Sequence, residues 1–295
     1  MSMPEISIIT VNYNGYEETI EMIESFQSHL SIPFEMIVVD NGSLENEAEM
    51  LKEQFPFIKA IRSDTNLGFA GGNNLGIRQA SADLLLFINN DTYVKDDSMV
   101  LLIERMKKEP GLGGISPKIL FADQEKLIQF AGYTSLSQIT LRNKLIGFRK
   151  PDEGQYDIAQ PTPYLHGAAM LVRRQAIKSA GVMPEIYFLY YEELDWSLQL
   201  RRSGYQLEYN PAATVYHKES SSVGQNSPLK AFYMTRNRML FAQRNLTPTY
   251  RNLSFIYQSF IALPKKILQV LLSSRSDLAL AVVRGYLDFV RLKMQ

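Results

Sequence analysis

Over the first ninety residues, short apolar runs alternate with amphipathic segments of helical period, and each apolar run ends on a polar cluster. This alternation commits the chain to βαβ units around a mostly parallel sheet, an α/β fold. Residues 6–11 read as a buried strand. Residues 17–30 then place Ile20, Ile23, Phe26 and Leu30 at helical spacing, and residues 36–39 form a second strand ending at Asp40. A third unit follows, with Ala48, Leu51 and Phe55 marking its helix and residues 57–61 its strand. The Gly/Asn-rich run 66–74 opens another helix, and a fourth strand, 84–88, runs into Asn89-Asn90-Asp91.

In an open parallel sheet, ligands gather outside the carboxyl ends of the strands. Residues 10–14, 40–43 and 89–91 each directly follow an apolar strand, so three polar loops are expected to converge on one site. Residues 113–165 are less regular and suggest hairpins or a lid. Order returns with a strand at 168–172, a helix at 174–180, a helix from about 191 to 204, and a strand at 207–216 leading to His217. Beyond Pro228 the pattern is helical, with breaks expected at Pro248 and Pro264.

The polar clusters carry specific chemistry. Asp91 is a hard oxygen ligand suited to Mg²⁺ or Mn²⁺, with a substrate diphosphate completing the shell. Asp40, in Val-Val-Asp-Asn-Gly-Ser, either accepts a hydrogen bond from a pyrimidine base or closes an Asx turn that caps the next helix. The run 66–74 matches neither G-x-x-x-x-G-K-[ST] nor G-x-G-x-x-G, which weakens a kinase or dinucleotide reading. Glu192, Glu193 and Asp195 open a helix behind five aromatic or apolar residues. They serve the helix dipole, or supply a desolvated general base. His217 is either a second metal ligand or a satisfied histidine.

Composition adds two constraints. The chain has no cysteine, which removes disulfides, thiolate metal sites and cysteine nucleophiles and fits a reducing compartment. Its start lacks a basic leader with an apolar core, so a cytoplasmic location is expected. Net charge is zero, yet residues 1–225 carry 20 Lys/Arg against 29 Asp/Glu and residues 226–295 carry 11 against 2. This divides an acidic domain, 1–225, from a basic helical region, 226–295. The latter faces something acidic, a nucleic acid or an anionic membrane, or packs on the acidic body. The last helix places Leu280, Val283, Leu287 and Val290 on one stripe, suited to an interfacial helix or to a homodimer contact. The apolar run 253–263 is cut by Pro264-Lys265-Lys266, short of a membrane span.

Taken in order, these segments resemble glycosyltransferase family 2, especially its rhamnosyltransferase-like members, over residues 6–222. The resemblance is carried by Thr10-Val11-Asn12-Tyr13-Asn14, Val38-Val39-Asp40-Asn41-Gly42-Ser43, the run 66–74, Leu86-Phe87-Ile88-Asn89-Asn90-Asp91, the run 166–174, and Tyr191-Glu192-Glu193-Leu194-Asp195-Trp196. It implies a GT-A fold and inversion at the anomeric carbon by direct displacement. Asp40 would bind the base, with Thr10, Val11, Asn12, Asn14, Asn41, Asn66 and Gly71 around the nucleotide and Asn90 near the ribose. Asp91 and His217 would hold Mg²⁺ or Mn²⁺, and Glu193 would be the catalytic base with Glu192 beside it. His166, Gly167, Asp195, Trp196, Arg236 and Arg238 would contact acceptor or phosphates.

The implied donor is a dTDP- or UDP-sugar, dTDP-rhamnose first. The implied acceptor is a glycan or a polyprenyl-linked sugar at the cytoplasmic face of the inner membrane, with no nucleic acid partner. This chain has Asn89 where the metal motif commonly begins with Asp, and Glu192-Glu193 where the family usually has Glu-Asp. A nucleotidyltransferase and a non-catalytic nucleotide-sugar binder are the competing functions.

Overall fold

The computed structural model describes residues 3–218 and 227–294; Glu219 to Ser222, the end of the family-like segment, lie outside the described residues. Its first part is β1 (Ile6–Asn12), α1 (Tyr16–His29), β2 (Phe34–Asp40), α2 (Glu47–Gln54), β3 (Lys59–Arg62), α3 (Gly68–Gln79) and β4 (Leu84–Ile88). Strand β1 pairs in parallel with β2 and β4, and β2 with β3. Every residue of β4 is buried. Helices cover both faces of such strands, so they read as continuous apolar runs rather than as alternation.

The chain continues through β5 (Thr92–Tyr93), α4 (Met99–Lys108), β6 (Leu112–Phe121), β7 (Ile128–Phe130), β8 (Gln160–Pro161), β9 (Ala169–Arg173), α5 (Arg174–Ala180), α6 (Glu192–Arg202) and β10 (Gln206–His217). The sheet order is β3-β2-β1-β4-β9-β6-β10-β5. Two reversals in it build the site. Strand β9 is antiparallel to β4, so the residues before it, His166 and Gly167, arrive at the carboxyl end of β4, where Asn89 N–H donates to Ala168 O at 3.0 Å. Strand β10 pairs antiparallel with β5, setting His217 opposite Thr92, one residue from Asp91.

Strand β6 corrects the expectation that regular structure lapses from residue 113, while its antiparallel pairing with β7 is one of the hairpins expected there. It is ten residues long, wholly buried and central in the sheet. Gly113, Gly114, Pro117 and Lys118 hide it, because proline rarely sits in an inner strand. Here the partner strand absorbs the irregularity: Asn210 faces Pro117, and the register then jumps to Thr214 opposite Lys118.

The C-terminal region is helical: α7 (Pro228–Asn245), α8 (Pro248–Tyr257), α9 (Leu263–Leu272) and α10 (Ser276–Met294). The break before Pro248 is present. Pro264 makes none, because a π-helical turn, Gln258–Ala262, precedes it and loosens the backbone ladder where proline supplies no N–H. Residues Pro248–Leu272 therefore run as 25 helical residues, long and apolar enough to cross a membrane by length and composition alone. Helix α10 packs on the chain through a face other than the stripe Leu280, Val283, Leu287 and Val290. Ala279, Val282 and Phe289 are buried, whereas Leu280 and Leu287 point outward. The reason is Gly285, which lets α10 approach α7 so closely that a Cβ there would lie 2.4 Å from Phe232 O.

Candidate active site

The loops after β1, β2 and β3 are pinned to one another by their own side chains. Asn12 Nδ2 donates to Glu47 Oε2 at 2.6 Å, and Asn14 Oδ1 accepts from Leu44 N at 2.9 Å. Asn41 donates to Asn66 Oδ1 and Gly68 O, both at 3.1 Å, and accepts from Leu67 N. Asp40 is fully buried, with Oδ1 accepting from Ser43 N at 2.9 Å and Oδ2 paired with Arg62 at 3.1 Å. Its turn-closing role is thus filled, and any hydrogen bond to a base uses remaining lone pairs. Thr10 Oγ1 is buried with no hydrogen-bond partner among the described residues.

Gly68 has φ +72, and a Cβ on it would lie 2.1 Å from Phe188 O. Only glycine fits both the conformation and the approach. Gly71, expected beside the nucleotide, is packed against Leu67, 2.6 Å from where its Cβ would be.

After β4, Asn90 Nδ2 points at the start of α1, donating to Thr19 Oγ1 at 3.1 Å and Gly15 O at 3.3 Å. Asp91 Oδ1 lies 3.1 Å from His217 Nε2, and both residues are only 7% exposed. On its other side His217 Nδ1 contacts Gln129 Oε1 at 2.8 Å, which fixes the proton on Nδ1 and turns Nε2 toward Asp91. Burial alone would raise the Asp91 pKa, but the hydrogen bond and charge of His217 hold it below the usual carboxylate value. With a second proton, on Nε2, His217 donates to Asp91; without it, the facing lone pairs of Nε2 and Asp91, with Asn89 Nδ2 3.3 Å from Nε2, suit a hard divalent ion. Among the described residues no cluster of three His, Asp or Glu ligands occurs. Two protein ligands with phosphate oxygens and water are nonetheless the sparse shell that Mg²⁺ usually takes, so these residues fit such an ion.

The acidic helix α6 starts on a strained loop. Phe188, Tyr190 and Tyr191 have φ of +66, +69 and +79, conformations that non-glycine residues rarely adopt. Helix α7 holds this loop. Asn237 Nδ2 donates to the carbonyls of Tyr187, Leu189 and Tyr190 at 2.7–2.9 Å, and Arg236 to those of Ile186 and Tyr187. Behind the loop, burial pushes Glu193 up to about 7, against the pull of backbone N–H groups at the start of α6. Glu192, more deeply buried and repelled by Glu193, is held well above the usual carboxylate range, and its Oε2 has no hydrogen-bond partner among the described residues. Two neighbouring carboxyls are thereby separated into a protonated one and one poised near neutrality.

His166 bridges the two sides. Its ring stacks on Tyr133 at 5.9 Å, and burial, then the charge of His217, lowers its pKa to about 3. It is a neutral imidazole, with Nδ1 accepting from Ala168 N and the proton on Nε2. A Cβ on Gly167 would lie 3.9 Å from Glu193 Cγ, so no larger residue is needed to explain the contact of these two segments.

The family described as glycosyl transferase family 2 matches residues 7–181. The chain belongs to glycosyltransferase family 2. This glycosyltransferase is 23% identical over 294 residues to a low-salt glycan biosynthesis hexosyltransferase of Haloferax volcanii, covering 98% of this chain and 92% of the relative. It is 23% identical to an N-acetylglucosaminyl-diphospho-decaprenol L-rhamnosyltransferase of Mycobacterium tuberculosis, covering 75% of this chain and 78% of the relative. Among solved structures it is similar to a mannosyltransferase of Pyrobaculum calidifontis in complex with GDP-Man and Mn²⁺. That match has 14% identity and a TM-score of 0.59, and covers 99% of this chain and 87% of the other. The fold is GT-A, an α/β sheet of mostly parallel strands with C-terminal helices.

In this glycosyltransferase the sheet edge brings Asn12, Asp40, Asn90, Asp91, His166, Gly167, Glu193 and His217 together. It turns three expected contact residues inward. Trp196 is fully buried and donates to Gly181 O at 2.8 Å. Asp195 accepts from Tyr187 Oη at 2.6 Å and pairs with Arg244 at 2.7 Å. Arg236 is spent on the loop carbonyls. A buried ion pair or an anchored indole leaves no group to offer a substrate. Sequence reasoning missed Arg62, Gln129, Tyr133 and Asn237. Only Asn237 had a signal, its place between two noted arginines.

The raised Glu192 has a consequence for stability. A carboxyl that binds its proton more tightly folded than unfolded stabilises the fold fully below its ordinary pKa of 4.5, and that stability is lost as pH rises through the folded pKa. Glu192→Gln, which keeps the neutral shape, is therefore expected to raise the thermal midpoint at pH 8 and to leave it near wild type at pH 4.5. A wild-type-like loss between those pH values in the variant would assign the titration elsewhere.

Proposed function

We propose that the protein is an inverting transferase that moves a sugar, rhamnose from dTDP-rhamnose first, onto a glycan or lipid-linked acceptor in cell-surface polysaccharide synthesis. The observation that carries this is the pair Glu192–Glu193, with one carboxyl near neutrality, on the same sheet edge as Asp91 and His217. Glu193 takes the proton of the acceptor hydroxyl as that oxygen attacks the anomeric carbon. Neutral His166 offers an N–H to a substrate oxygen, and Glu192 stays protonated beneath. Mg²⁺ or Mn²⁺ bound by Asp91 and His217 would offset the charge growing on the leaving diphosphate. The rhamnose assignment leans on the name of the mycobacterial relative.

The acceptor end of the reading rests on the C-terminal helices. Ile256, Phe260, Ile261, Leu268 and Leu272 on Pro248–Leu272 are exposed, Phe260 at 77% and Leu272 at 79%. Lys265 and Lys266 lie among them, a combination suited to an anionic membrane surface. The protein is accordingly peripheral on the cytoplasmic face, where a polyprenyl-linked acceptor is found.

The test is Asp91→Ala with a panel of nucleotide sugars. Metal-dependent transfer is expected to fall about a hundredfold or more, since a charge-offsetting ion supplies several kcal/mol to the transition state. Titration of Mn²⁺ into the variant in the absence of substrate is expected to lose its binding signal. Full transfer by Asp91→Ala would refute the metal assignment, and release of pyrophosphate from a nucleoside triphosphate would replace the reaction class.

A further inference from the structure

A cavity of about 330 Å³ opens where α7, the π-helical turn, α9 and α10 meet. It lies outside the nucleotide-side loops. Four cations line it: Arg142, Lys230, Arg238 and Lys266. No acidic side chain lines it, and none of the four is paired with a carboxylate among the described residues. Four like charges around one small space repel one another, and an anion placed among them relieves that repulsion. The rest of the wall is of a different kind, with Met234, Leu263, Leu278 and Val282 presenting apolar surface. A free phosphate would use the cations and waste the apolar wall; a hydrocarbon alone would do the reverse. The matching ligand is a phosphate ester carrying a hydrocarbon chain.

Two contacts tie this cavity to the catalytic loop. Arg238 Nε donates to Tyr191 Oη at 3.0 Å, and Tyr191 directly precedes Glu192 and Glu193. Lys230 Nζ sits 5.6 Å from the centre of the Tyr190 ring. On the other side α9 and α10 carry the exposed Leu268, Leu271, Leu280 and Leu287. The cavity thus lies between an apolar helix surface and the turn that holds the base.

We propose that it receives the phosphate or diphosphate of the lipid-linked acceptor, with the lipid chain along α9 and α10 and the acceptor sugar toward Glu193. This rests on the transferase reading and adds to it a second anion site, separate from the donor diphosphate at Asp91.

The test uses the full chain and three probes in calorimetric titrations: farnesyl diphosphate, inorganic pyrophosphate, and vesicles of phosphatidylglycerol. Wild-type protein is expected to bind farnesyl diphosphate at least about tenfold more tightly than pyrophosphate. Arg142→Ala/Lys266→Ala, at two exposed side chains with no hydrogen bond or ion pair to Glu192 or Glu193 among the described residues, is expected to weaken farnesyl diphosphate about tenfold or more, as loss of charge-assisted contacts does. Its nucleotide binding and acceptor-independent donor hydrolysis should stay at wild-type level. Lys230→Ala should weaken the same ligand in the same direction. Unchanged farnesyl diphosphate affinity in both variants would overturn the proposal. So would equal displacement of the probe by phosphatidylglycerol, which would make this a general site for anionic lipids. If the variants lose the probe while wild type transfers no sugar from any donor, the cavity stands and the transferase reading fails.

Discussion

Glu193→Gln is expected to keep nucleotide-sugar binding and lose transfer by roughly 10²–10⁴-fold, the span that a positioned general base contributes. The side chain keeps its shape and gives up only the proton acceptor. The same residue sets the pH profile. A base works deprotonated, so with Glu193 pushed up to about 7 by burial, the wild-type kcat/KM should rise with pH through about 7 and level off above it. In Glu193→Gln the residual rate should be flat across that range. A rise through pH 7 that survives in the variant would assign the base to another group, Glu192 first.

The second large effect is expected at Asn237, which touches no substrate. Its amide is fully buried and donates to three carbonyls of the loop 187–191, where three residues sit at positive φ. Removing one partner of buried hydrogen bonds costs about 1–3 kcal/mol. Asn237→Ala should therefore lower the unfolding free energy by about that amount in denaturant titrations. Released from its clamp, the loop no longer fixes the start of α6, and misplacing a catalytic group by about 1 Å can cost about a hundredfold in rate. The expected signature is a fall in kcat with the donor KM little changed, because the donor loops hang on Asn12, Asn41 and Asp40 instead. Equal losses in kcat and donor affinity would mean a general collapse, and the positioning role would be withdrawn.

The parts of this fold that could be read from sequence are those governed by local periodicity. Strand β4 is apolar on both faces and bounded by polar turns, and its predicted limits coincide with those of the structure. Strand β6 escaped because its identity depends on neighbours: Pro117 is tolerated only through a register jump in β10, far away in sequence. The same division runs through the site. Asp91 and Glu193 stand in short motifs with their own chemistry. Gln129, which orients His217 from 88 positions away, is an ordinary glutamine until the sheet closes. Arg62 owes its place to the buried Asp40, a pairing that no spacing announces. Pro264 misled in the other direction, since a rule about missing N–H groups holds only while the preceding turn stays α-helical.

The division by charge at residue 225 also acquires a different meaning. Helix α7 belongs to the basic portion, yet its Arg236 and Asn237 anchor the loop before Glu193, and Met239, Leu240 and Phe241 share a core with Tyr187, Tyr191 and Leu194. If these helices hold the acceptor as proposed, acceptor preference and the loop before Glu193 are inherited as a pair. A chimera that borrows its last helices from a relative would import a foreign anchor for its own loop. Grafts joined after Asn245, or grafts that carry residues 186–191 together with α7, are the ones in which a new acceptor can be tried without dismantling the base.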